Sequence, residues 1–67
     1  MEKTVHINGM MCKHCVKHVS DALNKLDGIE AVVTLETNSA LVKGEAIDDA
    51  VITKAIVDAG YEVTGIE

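Results

Sequence analysis

The spacing of the apolar residues switches between two and three-to-four along the chain, and that alternation constrains the fold more than any other feature. Thr4-Val5-His6-Ile7 alternates polar and apolar, which predicts a short strand with Val5 and Ile7 on its buried face. Asn8-Gly9 breaks it. From about Lys13 to Leu26, Val16, Val19, Leu23 and Leu26 recur at helical spacing, and Asp27-Gly28 ends the run. Ile29 to Glu36 is rich in β-branched residues, with Ala31, Val33 and Leu35 at period two. The turn Thr37-Asn38-Ser39 then leads into Ala40-Leu41-Val42-Lys43, completing a hairpin. Asp48 reads as the N-cap of a second helix whose apolar face is Val51, Ile52, Ala55, Ile56 and Ala59, with Gly60 stopping it. Tyr61 to Ile66 reads as a last strand. The order is β-α-β-β-α-β, an α+β class. Its economical packing is the ferredoxin-like architecture: one four-stranded antiparallel sheet with both helices on one face, in one domain spanning 1–67.

Composition narrows the function. The 67 residues contain no Pro, Trp or Phe, so the core is built from Val, Ile, Leu and Ala, with little room for an enclosed substrate pocket. An enzyme acting on an organic molecule is not expected. The formal net charge is −5 and there is no Arg, which argues against nucleic-acid binding. No apolar stretch approaches the ~20 residues of a transmembrane helix, so no direct membrane insertion is expected. Met1 to Ile7 is polar and strand-like rather than a secretory leader, which predicts a cytoplasmic protein. Its two cysteines are then expected to be reduced thiols that do chemistry or hold metal.

Those cysteines lie in Gly9-Met10-Met11-Cys12-Lys13-His14-Cys15. Two Cys separated by two residues can turn both sulfurs toward one point, Cys12 from a loop and Cys15 from the first helical turn. Unpaired N–H groups, the helix dipole and the nearby Lys13 and Lys17 all favour thiolate there. Soft thiolates select soft or borderline metals. Two sulfurs are too few for a Cys₄ iron–sulfur centre or for a four-ligand structural zinc site, whereas Cu(I) accepts two. A Cys-x-x-Cys pair by itself is also compatible with a redox couple or with two chance cysteines.

The segment Gly9 to Cys15 resembles the Gly-Met-x-Cys-x-x-Cys motif of heavy-metal-associated domains. The resemblance runs along essentially the whole chain, including Asp58-Ala59-Gly60-Tyr61. It implies the ferredoxin-like fold and Cu(I) held by Cys12 and Cys15. It also implies exchange with the metal-binding domain of a copper-transporting P-type ATPase. A Tyr before the last strand is typical of the family's bacterial copper chaperones, and Tyr61 stands there. Met11 departs from the Thr or Ser often found before the first Cys.

Several neighbours carry two readings. Met10 is expected to pack beneath the loop rather than ligate. Met11 is either a weak third ligand or a shield for the metal, and is expected to be exposed. His14 is either a solvated residue at the helix start or a third ligand in a transfer intermediate or metal-bridged homodimer. His18 raises the same question, and with His14 and the cysteines would make a zinc site. His6 reads as plain surface. Tyr61 is either a core or edge residue or a screen for the thiolates. Lys13 and Lys17 are either a solvated helix face or a basic spot for docking an acidic partner. The leading reading is a cytoplasmic copper chaperone serving a membrane ATPase or a copper-responsive repressor. The alternatives are an N-terminal regulatory domain of a heavy-metal ATPase, a zinc- or mercury-binding domain, and a thiol–disulfide oxidoreductase.

Overall fold

The computed structural model describes residues 2–11 and 13–67. Six elements follow in order: β1 (Glu2–Asn8), α1 (Lys13–Asn24), β2 (Ile29–Thr34), β3 (Ser39–Gly44), α2 (Asp49–Asp58) and β4 (Glu62–Ile66). The strands form one sheet in the order β2-β3-β1-β4, with every neighbouring pair antiparallel. Each helix therefore joins two parallel strands with another strand between them, which is the ferredoxin-like topology.

Strand register explains why both helices cover the same face. Directly opposed residues share a face, and Val5 opposes Ala40 while Ala31 opposes Val42. These four, with Ile7, form the sheet side of the core; Val19 and Leu23 of α1 and Ile52 and Ile56 of α2 close it from above. The core is aliphatic, as the composition demands, with Met10 its one sulfur-bearing member among the described residues.

Local chemistry sets the boundaries. Asp48 caps α2 as expected, its Oδ1 accepting the Ala50 N–H at 2.9 Å. α1 ends at Asn24, two residues before the expected Leu26. The helical bonds give way there to a tighter turn, the Leu26 N–H donating to Leu23 O at 3.1 Å. The Asn24 amide ties the helix end to β2: its Nδ2 donates to Ser20 O at 2.9 Å and to Ala31 O at 3.3 Å, and its Oδ1 accepts the Ala31 N–H at 2.9 Å. β2 stops at Thr34 rather than Glu36, because the Asn38 N–H donates to Leu35 O at 3.1 Å and closes a turn over residues 35–38. Ser39, expected in that turn, opens β3.

Val51 corrects the predicted face of α2: it is 46% exposed. The buried stripe runs through Ile52 and Ile56, and Val51 lies roughly a third of a turn off that line. His6 lies at the surface as expected, where its Nε2 is 2.9 Å from Glu67 Oε1. Tyr61 precedes the last strand instead of starting it. In β4, His6 opposes Gly65 while Ile7 opposes Val63, so Thr64 is an inserted residue whose hydroxyl donates to His6 O at 3.3 Å.

Candidate metal centre

The registers bring the end of β1, the turn over residues 35–38 and the start of β4 to one end of the sheet. The cysteine motif lies at that end. The chain leaves β1 through Gly9, whose φ of 103° suits a residue without Cβ. Beyond Gly9 the two methionines part. Met10 turns inward and is 5% exposed within the core; Met11 turns outward and is 87% exposed. Both match their expected placements.

Cys12 lies outside the described residues. Cys15 is half-buried and packs against the core from the first turn of α1. That turn carries no acidic side chain, and the positive end of a helix dipole favours negative charge on a sulfur there. Lys13, His14 and Lys17 are exposed on either side of Cys15. Among the described residues, no three His, Cys, Asp or Glu side chains gather into a metal-holding group, so Cys15, His14 and His18 do not converge.

His18 instead faces Tyr61. The Tyr61 hydroxyl is 3.5 Å from His18 Nδ1, at the outer limit of hydrogen-bond reach. Tyr61 owes its place to the end of α2. Ala59 is the C-cap, Gly60 has a φ of 99°, the Gly60 N–H donates to Val57 O at 2.9 Å, and the Tyr61 N–H donates to Ile56 O at 3.1 Å. This pair of bonds is a Schellman motif, which explains why Ala59-Gly60-Tyr61 reads as a unit in the sequence. The motif delivers the half-buried ring to the base of the loop after β1, where Tyr61 Cδ1 lies 3.5 Å from the point a Cβ on Gly9 would occupy.

Asn38 is the residue that sequence reasoning undervalued. It reads as a turn residue only, yet its carbonyl accepts the Ile7 N–H at 2.8 Å, and one end of its amide lies 3.2 Å from both Leu35 O and Met10 O. Two carbonyl oxygens call for an NH₂ group, so Nδ2 faces them. The available signal was an Asn in a tight turn, a type that tolerates positive φ and bonds to nearby backbone.

The likeness to known proteins is specific. The heavy-metal-associated domain model matches residues 4–62, and the chain belongs to that family. It is 43% identical to the copper chaperone CopZ of Bacillus subtilis over 65 residues, covering 92% of this chain and 94% of that protein. It is 41% identical to a probable copper-exporting P-type ATPase of Archaeoglobus fulgidus, covering 94% of this chain but 8% of the ATPase. A solved CopZ metallochaperone superposes with a TM-score of 0.90 at 33% identity, covering 96% of this chain and all of that one (100%).

Proposed function

We propose that this chain is a cytoplasmic carrier of Cu(I), held between the thiolates of Cys12 and Cys15 and passed to a partner by ligand exchange. The observation that carries the reading is the placement of Cys15. Its sulfur-bearing side chain sits half-buried in a first helical turn that carries no acidic residue, at the end of the fold where three connections meet. Two soft thiolates are a complete set for Cu(I) and an incomplete one for zinc. The near-full-length likeness to a copper chaperone supports copper as the cargo.

The partner best supported is the metal-binding domain of a copper-transporting P-type ATPase, since a domain similar to this chain is part of such an ATPase in another organism. A copper-responsive repressor is a second acceptor class. Transfer proceeds by entry of one partner thiolate as one of the two cysteines leaves, with Cys12 making first contact and Cys15 releasing last. No covalent chemistry on an organic substrate is involved, so the protein acts as a carrier and not as an enzyme.

Anaerobic titration of the reduced protein with Cu(I), against a chromophoric Cu(I) chelator and with Zn(II) in parallel, tests the reading. One equivalent of Cu(I) is expected to be retained by the native protein and lost in the Cys12→Ser, Cys15→Ser variant. Weak Cu(I) retention beside firm Zn(II) binding would overturn it. The likeness to the ATPase favours one further reading, a regulatory domain of a longer transporter. The intact mass of the endogenous protein separates the two.

A further inference from the structure

We propose that Asn38 is the positioning residue of the metal loop, holding the chain's approach to Cys12 through its side-chain amide. This rests on the dithiolate reading above and extends it to a residue far from the motif. The loop bends at Gly9, a residue with no side chain to define its own conformation. The bend must be imposed from outside, and Asn38 grips it on both sides. Ahead of Gly9, the Ile7 N–H donates to Asn38 O at 2.8 Å. Beyond Gly9, Asn38 Nδ2 donates to Met10 O at 3.2 Å, while the Met10 side chain is buried beneath. Asn38 is itself braced, its N–H and its Nδ2 both donating to Leu35 O.

The position demands two properties at once. Its φ of 49° is left-handed, which Gly, Asn and Asp tolerate and most residues do not. Its side chain must also donate to carbonyl oxygens. Gly supplies the backbone alone; Asp supplies the backbone but points a carboxylate at two oxygens. Asn meets both demands. A loop held in this way presents its cysteine with less ordering left to complete on metal binding, which tightens retention.

The test uses Asn38→Gly and Asn38→Asp, both compatible with the backbone, with the fold checked by far-UV circular dichroism and thermal melting. Two quantities are read: amide hydrogen exchange at Met11 and Lys13 in the metal-free protein, and retention of one equivalent of Cu(I) against a chelator. Both variants are expected to stay folded, to exchange faster at those amides, and to hold Cu(I) about 3- to 10-fold less tightly, as expected for one lost hydrogen bond. The Cys12→Ser, Cys15→Ser variant serves as control. If it loses copper while both Asn38 variants exchange and bind like the native protein, the role of Asn38 is refuted and the dithiolate stands. If it keeps copper, the dithiolate reading itself fails, while the exchange measurement still decides whether Asn38 holds the loop.

Discussion

At the scale of single residues, Met10 and Met11 show how one bend gives two identical side chains opposite roles. Met10 is 5% exposed and belongs to the core; Met11 is 87% exposed. Truncating a buried Met leaves a cavity and loses transfer free energy, so Met10→Ala is expected to destabilise the fold by about 2–3 kcal/mol. Met11→Ala is expected to change stability by no more than about 0.5 kcal/mol. Chemical denaturation of the metal-free variants checks both, and similar costs for the two would contradict the placement. The inward Met10 and outward Met11 were legible in the sequence, because a loop leading into a helix over a purely aliphatic core has room for one flexible filler. The grip of Asn38 on Met10 O was not, since it joins residues 28 positions apart in the chain.

At the scale of elements, boundaries were decided by side chains that bond across the fold. β2 is an edge strand, paired only with β3, and its Ala31 turns its N–H and C=O toward Asn24. One amide thus joins the end of α1 to β2 and covers part of an exposed strand edge, a common need of open sheets. Asn24→Ala is expected to cost about 1–2 kcal/mol and to raise hydrogen exchange at Ala31 selectively. Unchanged exchange there would mean that the bond adds nothing in solution. The helical spacing of Val19 and Leu23 was legible; the bond from Asn24 to Ala31 was not, because propensity does not reveal that an asparagine has a strand within reach. Val51 failed for a related reason. It is apolar and next to the stripe, but the sheet lies beneath Ile52 and Ile56.

At the scale of the whole molecule, charge is distributed unevenly enough to matter for association. The formal net charge is −5, yet Lys13 and Lys17 are exposed on α1 on either side of Cys15. Copper transfer to an acidic partner domain is expected to slow as salt rises, and the Lys13→Glu, Lys17→Glu variant to transfer about 10-fold or more slowly at low salt. Stopped-flow transfer at several ionic strengths measures this; acceleration by salt would count against the basic face as the docking surface. The sequence by itself determined the order of elements, the aliphatic core and the place of Cys15 in the first turn of α1. Each follows from side-chain periodicity or from spacing within a few residues. Tertiary structure alone decided which polar groups meet: Lys3 Nζ with Asp49 Oδ1 at 2.6 Å, His6 with Glu67, Asn24 with Ala31, and Asn38 with Met10 O. Apolar burial is non-directional and leaves its mark in local patterning. A hydrogen bond needs a partner at one distance and angle, and strand register delivers that partner only once distant segments have paired.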